Sequence, residues 1–254
     1  MRTCKFLLGL FICTSVTQTF AHDHLNLEHG VPLEVEDAYV SPYMNREFHS
    51  YLLYDRLPDN KDKLMFVPRL ELGVLRNFQV DIATPFEFGD REEKQSRNID
   101  VEGLYNFNQE SRFLPAVALG GGVFVPTGEG MRGIDAIGRL NLTKTLPTAI
   151  SFHRLHANIQ WTQNGEPRAT ERNNLMKYVF GYQLRLGTDY MFVADYFYEE
   201  QYRRSQNMQM IEVGLRYQLD PLSVIAAGIG TGLDDDSPDF RGNISFQRAL
   251  NIFW

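Results

Sequence analysis

The chain lacks three features that define large classes of proteins: cysteine beyond its first segment, a long apolar run, and an excess of basic residues. Both cysteines, Cys4 and Cys13, fall within the first 21 residues, so the rest has no disulfide framework, thiolate metal site or cysteine nucleophile. After residue 21 no apolar run approaches the ~18 residues that a transmembrane helix needs. Without Arg2 and Lys5 there remain 25 − 2 = 23 basic against 32 acidic residues, a formal charge of −9. We therefore expect no nucleic-acid partner.

The first 21 residues have the three regions of a secretory signal peptide. Arg2 and Lys5 precede an apolar run that begins at Phe6, and small residues at 19 and 21 suit cleavage after Ala21. Lipid attachment at Cys13 is the less favoured alternative, because a large residue precedes it where a small one is expected. The pattern predicts an exported chain, with residues 1–21 removed.

Alternation with a period of two dominates the rest of the chain. In "MKYVFGYQLRL" nearly every second residue from Met176 to Leu186 is apolar or aromatic, opposite Lys177, Gln183 and Arg185. Similar patterns occur in "KLMFVPRLELGV", "FQVDIATPFEF", "NIDVEGLYNF", "YMFVADYFYE" and "IEVGLRYQL". Since side chains alternate across a strand, each segment is predicted to be a β-strand with one apolar and one charged face.

Six less regular segments bring the predicted strand count to twelve; they lie near 47–56, 114–125, 134–146, 150–163, 222–232 and 243–254. Tight connections such as "LRN", "GTD" and "DP" alternate with longer polar ones such as "GDREEKQSR" and "NGEPRATERNN". This asymmetry is typical of outer-membrane barrels, which have short periplasmic turns and longer extracellular loops. We predict an all-β fold: a closed antiparallel up-and-down transmembrane barrel over residues 47–254, preceded by a periplasmic N-terminal segment over residues 22–46.

A secreted soluble barrel or sandwich is the alternative fold, since it would show the same alternation. The membrane barrel is favoured because the apolar face is rich in Tyr and Phe near strand ends, where interfacial aromatic girdles lie. The expected location is the outer membrane of a Gram-negative bacterium, in contact with its lipid.

The last segment, "NISFQRALNIFW", alternates and ends on an aromatic residue. It resembles the C-terminal assembly signal of bacterial outer-membrane proteins, with the candidate signal residues Phe246, Leu250, Ile252 and Trp254. This predicts the barrel-assembly machinery as a partner. Arg248 shares their face, where an arginine at the bilayer midplane costs roughly 2–4 kcal/mol.

If the apolar face meets lipid, the charged face lines the lumen. The lumen-lining candidates are Arg69, Glu71, Asp81, Glu87, Asp100, Glu102, Asp135, Arg139, Arg154, His156, Lys177, Arg185, Asp195, Glu199, Glu212 and Arg216. In the favoured interpretation most of these charges pair to hold the wall. In the alternative, some of them set solute selectivity, as charged pore rings do.

Two further chemistries compete with simpler interpretations. A lipid-active enzyme would need a Ser–His pair with an orienting third group; Ser151 and His153 share a face, but no such group is evident, so we expect no catalysis. The mature start would place His22 and His24 where nitrogen ligands can form a square-planar copper or nickel site. A flexible tail is the favoured interpretation there, and we expect neither a metal site nor an organic cofactor.

Three stretches carry a family resemblance. They are "SRFLPAVALGGGVFVPTGEG" with the following "GIDAIGRLNLTKTL", "GVPLEVEDAYV" (30–40) and "RLHANIQW" (154–161). They resemble the outer-membrane β-barrel family named for the MetA pathway of phenol degradation. The resemblance implies a passive channel or transporter for small, aromatic or hydrophobic molecules. The alternative is a non-transport barrel with a structural or surface-interaction role in the envelope.

Overall fold

The computed structural model describes residues 25–89, 98–127, 132–147 and 152–250. Within these ranges the regular structure is thirteen β-strands and one 3₁₀ turn, Pro58–Asn60. The strands are β1 (Arg46–Leu57), β2 (Lys61–Leu75), β3 (Phe78–Ala83), β4 (Phe86–Gly89), β5 (Asn98–Asn108), β6 (Ala116–Pro126), β7 (Asp135–Leu146), β8 (His153–Gln163), β9 (Asn174–Arg185), β10 (Tyr190–Glu200), β11 (Asn207–Asp220), β12 (Ser223–Gly232) and β13 (Phe240–Ala249). No helix in the described ranges is long and apolar enough to cross a membrane.

The strands close into a ring of antiparallel neighbours. β1 pairs with β2 on one side and with β13 on the other, where Phe48 lies opposite Arg248. β3 and β4 both pair with β2 and act as one interrupted barrel strand. Pro85 lies in the interruption, and proline cannot donate a ladder hydrogen bond. The fold is therefore the predicted closed barrel of twelve strands, with one strand split in two.

The connections differ between the two ends of the barrel. Residues 76–77, 186–189 and 221–222 turn tightly at the end nearest β1's start, whereas 164–173 and 201–206 form longer loops at the other end. These two loops contact each other through the Arg172 amide, which donates to the Tyr202 carbonyl at 2.8 Å. The asymmetry is weaker than predicted, because only the 3₁₀ turn separates β1 from β2.

The outer surface of the barrel is apolar and the inner surface is polar. In β11, Val213 and Leu215 point outward and are 41% and 51% exposed, while Glu212 and Arg216 point inward and are 3% and 2% exposed. A soluble barrel would have the reverse arrangement. An apolar exterior around a polar interior suits a barrel surrounded by hydrocarbon.

Aromatic side chains on adjacent strands contact one another at both ends of the barrel. Tyr190 stacks on Tyr217 with ring centroids 4.7 Å apart, next to the tight turns. Tyr178 and Tyr198 lie 6.4 Å apart toward the long loops. Pairs at these two levels match the aromatic girdles expected where a barrel crosses the two membrane–water interfaces.

Part of the predicted assembly signal lies in or next to strand β13. Phe246 is half-buried, and Leu250 follows the strand, whereas Ile252 and Trp254 lie outside the described residues. Arg248 points outward, and its Nη1 donates to the Oγ of Ser223, the first residue of β12, at 2.9 Å. The guanidinium therefore lies at the end with the tight turns rather than at mid-strand, where its cost would be highest.

Candidate functional site

The lumen of the barrel contains the segment of chain that precedes β1. We call residues 25–41 the plug. Sequence patterns suggested a periplasmic location for residues 22–46, but Leu27, Val31 and Val35 are 1–2% exposed and lie within the ring. The plug therefore occupies the interior of the barrel rather than the space beneath it.

The plug backbone is hydrogen-bonded to inward-facing side chains all around the wall. These bonds are Ser41 N to Gln79 Oε1 (2.7 Å), Ala38 N to Thr143 Oγ1 (2.9 Å), Glu36 N to Asn158 Oδ1 (3.0 Å), Val35 N to Asp195 Oδ2 (2.9 Å), Arg216 Nη1 to Val31 O (3.2 Å) and Asn243 Nδ2 to Gly30 O (3.2 Å). Buried backbone groups need such partners. Side chains from six strands supply them here, so the plug crosses the lumen instead of following one side.

Wall asparagines act as substitutes for a neighbouring strand. Asn158 accepts from the Glu36 amide and returns a 2.7 Å bond from Nδ2 to the Glu36 carbonyl. Asn141 donates to the Asp37 carbonyl at 3.1 Å. The sequence reasoning did not single out these asparagines as site residues, although Asn158 lies in "RLHANIQW". The signal that could have identified them as lumen-facing is their alternation with apolar neighbours along each strand.

An apolar cluster fixes one side of the plug. Its buried members are Leu27, Leu33 and Val35 from the plug, and Val179, Met191, Val193, Phe197 and Met210 from β9, β10 and β11. Full burial of such a side chain contributes roughly 1.5–3 kcal/mol. The inward face of β10 is thus largely apolar. The sequence patterns predicted charged side chains on this face and did not predict the apolar ones.

Glycines in the wall make room for the plug. A Cβ atom added at Gly181 would lie 2.3 Å from Val35 Cγ2, and one at Gly214 would lie 2.6 Å from Pro32 Cγ. These separations are far below van der Waals contact, so a larger residue at either position would collide with the plug. The wall and the plug are therefore fitted to each other in shape.

Acidic residues of the plug pair with basic residues of the wall. Glu34 contacts Lys177 at 2.5 Å and Arg241 at 3.2 Å, and it also contacts His29 of the plug at 2.8 Å. Burial opposes ionisation of Glu34, but Lys177, followed by contacts with His29 and Arg241, lowers its pKa well below the usual range. Glu34 is therefore held as a carboxylate that attracts the basic wall.

A second ionic contact lies on the other side of the plug. Glu36 contacts Arg139 at 2.5 Å, and Arg139 also contacts Glu102 at 2.9 Å. Burial opposes ionisation, but Arg139 is the strongest influence that lowers the pKa of Glu36. Asp37 differs: burial raises its pKa to about 7, although Arg154 opposes the shift from 3.8 Å away. Glu34 and Glu36 are therefore the main ionic anchors of the plug.

The structure places the predicted lumen residues in three groups. Those that contact the plug are Arg69, Arg139, Arg154, Lys177, Asp195 and Arg216. Those that contact other wall or loop residues are Asp81, Glu87, Glu102, Asp135, His156, Glu199 and Glu212, and Glu71 contacts both Gln79 of the wall and Glu28 of the plug. Asp100 has a buried Oδ1 atom without a hydrogen bond, and Arg185 bonds the carbonyls of residues 187 and 188 in a tight turn.

Several inward-facing residues were not among the predicted candidates. Glu47, His49 and Asp55 are buried on β1, and Arg241 is buried on β13. Arg241 binds both carboxylate oxygens of Asp55, at 2.7 and 3.0 Å. β1 was one of the less regular segments, and Arg241 precedes the stretch assigned to the last strand. The period-two pattern therefore did not identify these residues as inward-facing.

A small cavity remains between the plug and the wall. It is lined by His29, Glu34, Glu36, Arg139, Asn158, Gln160, Lys177 and Val179. It has room for about one water molecule. The space at this level therefore suits a bound water rather than a passing solute.

Known structures share this architecture at low sequence identity. The COG4313 outer membrane channel from Pseudomonas putida F1 has a TM-score of 0.61 at 9% identity, over 86% of this chain and 100% of that one. The NanC porin has a TM-score of 0.58 at 9% identity, over 81% and 100% of the two chains. The KdgM porin has a TM-score of 0.55 at 10% identity, over 81% and 99%. At these identities the likeness establishes the fold.

Sequence comparison establishes the family. No curated protein matches the chain significantly. The profile of the family described as "Putative MetA-pathway of phenol degradation" matches residues 67–247, which run from β2 to β13 and make up more than half of the chain. The resemblance that the sequence motifs suggested is confirmed, and the protein belongs to this family.

Proposed function

We propose that the protein is a passive outer-membrane channel for small solutes, closed in this structure by the plug. The observation that carries the proposal is that the barrel closes without the plug. β1 pairs directly with β13, whereas the wall contacts described above reach the plug through side chains. The plug can therefore leave the lumen without breaking the strand ladder.

The surroundings of the barrel support the location. Its outward apolar face would contact outer-membrane lipid, and the aromatic pairs would lie at the two interfaces. Three similar structures are described as an outer membrane channel and porins. Residues 1–21 as a signal peptide, and recognition of the C-terminal residues by the barrel-assembly machinery, belong to the same proposal.

Release of the plug would change the lumen from a packed interior to a polar passage. Lys177, Arg139 and Arg241 would lose their contacts with Glu34 and Glu36 and would face water. Charged rings of this kind set the ion preference of other channels. The candidate selectivity role of the lumen residues applies to this open state, and the channel needs no catalytic step.

The test is the conductance of refolded mature protein in planar bilayers. Glu34→Gln combined with Glu36→Gln removes both ionic anchors of the plug, whereas Glu171→Gln, in the loop 164–173, is the control. We expect small or rare openings for the unmodified protein and for the control, and frequent larger openings for the double variant. Equal conductance of all three would contradict closure by these anchors.

A second candidate function is favoured by the filled lumen itself. A barrel with a structural or surface-interaction role in the envelope needs no passage, and its interior can stay packed. Deletion of residues 25–41 separates the two functions. A deletion variant that folds as a barrel but passes neither ions nor small solutes would replace the channel proposal with this alternative.

The class of small solute that passes the channel also belongs to this proposal. The family resemblance implies small aromatic or hydrophobic compounds, whereas the charged wall suits polar ones. Liposome swelling by the deletion variant should be compared for an aromatic carboxylate, a neutral sugar and an amino acid of similar size. Faster swelling with the aromatic carboxylate would support the family-based expectation, and equal rates would indicate passage by size alone.

A further inference from the structure

A second group of side chains joins the plug to the wall, apart from the ionic anchors. Glu28 of the plug, His49 of β1 and Glu71 of β2 are all buried, with exposures of 4%, 1% and 1%. Each offers one ligand atom, and these atoms lie within 4.8 Å of one another. Three separate elements thus direct an imidazole and two carboxylates at one point.

Strand register concentrates acidic side chains at this point. Glu47 of β1 lies directly opposite Glu71 of β2, which in turn lies opposite Asp81 of β3. Like charges directly opposite each other destabilise a sheet. The arrangement therefore needs a compensating positive charge within the lumen.

Arg69 is the wall cation that attracts Glu71 and Asp81, but its guanidinium contacts His29, and one cation cannot balance the several acidic side chains gathered here. The other plug acids, Glu34 and Glu36, contact Lys177 and Arg139, whereas Glu28 shares a hydrogen bond with Glu71. Two carboxylates can share a hydrogen bond only if a proton lies between them. Asp81, next to this pair, has a buried Oδ1 atom with no hydrogen bond. A cation is the missing partner that this geometry calls for.

We propose that Glu28, His49 and Glu71 bind one divalent metal ion of the zinc type. One imidazole nitrogen and two carboxylate oxygens form a ligand set that such ions accept, with bonds of about 2.0–2.2 Å and a fourth position left for water. The His49 Nε2 atom lies 3.1 Å from Glu47 Oε2, so Glu47 is the positioning residue that orients the ring. The metal ion would replace the proton shared by Glu28 and Glu71.

Such an ion would also hold the channel closed, a consequence that rests on the proposed function. Glu28 belongs to the plug, while His49 and Glu71 belong to adjacent strands of the wall. A metal bond between them would tie the plug to β1 and β2, on strands that the Glu34 and Glu36 anchors do not use. Metal removal would then favour the open state.

The test is Zn²⁺ titration of the full mature chain, refolded in detergent, with His22 and His24 replaced by alanine to remove the N-terminal histidines. We expect one Zn²⁺ per barrel, bound at least tenfold more weakly after Glu28→Gln or His49→Gln. Glu199→Gln, a wall carboxylate beside Lys177, is the control and should bind Zn²⁺ as the parent does. X-ray absorption of the bound ion should detect one imidazole and oxygen ligands.

The outcomes separate this site from the channel proposal. No Zn²⁺ binding by the parent, or equal binding by the Glu28→Gln and His49→Gln variants, would overturn the metal site while leaving the conductance tests unaffected. The heat-dependent electrophoretic mobility of each variant verifies that its barrel is folded. Tight Zn²⁺ binding without any effect of a chelator on conductance would keep the site and reject its role in closure.

Discussion

The close contact between Gly181 and Val35 gives a sharp test of plug docking. In Gly181→Ala, the new Cβ atom would lie 2.3 Å from Val35 Cγ2 and 2.9 Å from Val35 Cβ. A β-branched side chain is stiff at χ1, so Val35 cannot simply turn away. Overpacking of this kind costs about 1–3 kcal/mol, which corresponds to roughly a 5- to 160-fold shift toward the released plug.

Two measurements can detect this shift. Because residues 22–254 contain no cysteine, Ala38→Cys in a protein of those residues places a single thiol at a plug position that is 0% exposed, and its labelling rate by a maleimide reports release. The open fraction in bilayer recordings is the second readout. Gly138→Ala is the control, since its Cβ would meet only Trp161 at 3.5 Å, an ordinary contact. If Gly181→Ala labels and conducts like its parent and the control, the plug does not pack against β9 as described.

Three further substitutions test other parts of the structure. Leu27→Ala should weaken plug docking by about 2–5 kcal/mol, since Leu27 is 1% exposed within the apolar cluster; Leu186→Ala, at an exposed turn position, should leave channel opening unchanged. Arg241→Met should destabilise the barrel by about 3–5 kcal/mol in urea unfolding, because it leaves Asp55 and Glu212 as buried carboxylates without their partner. An unchanged unfolding midpoint would refute that role. Arg248→Leu should not lower barrel stability in a refolding titration, since the exposed Arg248 side chain points outward and the change removes one part-buried hydrogen bond to Ser223; a clear loss would mean that Arg248 has a more specific partner.

Short sequence patterns predicted the barrel strands because the face of a strand on which a residue lies depends on its near neighbours in the chain. Residues two apart on a strand share a face, so the alternation around Lys177 and Glu212 was sufficient to identify the strands and their two faces. Pro85 explains why one predicted strand is split in the structure. The family resemblance also depended on continuous stretches such as "RLHANIQW".

The contents of the lumen could not be predicted in the same way. Residues 25–41 show no alternation that marks their partners, and Glu36 is 122 residues from Asn158, which binds its amide and carbonyl. The same holds for Gly181, whose role depends on the position of Val35. These contacts join residues that are far apart in the chain and close only in the folded barrel.

The strands, their apolar and charged faces, and the family could be predicted from the sequence alone, because each is encoded by residues near one another in the chain. The folded structure was needed to show that the plug lies within the barrel, that Glu34 and Glu36 anchor it, and that Glu28, His49 and Glu71 converge. Barrel closure brings together side chains from distant strands at one level of the lumen, and no short stretch of sequence contains that information.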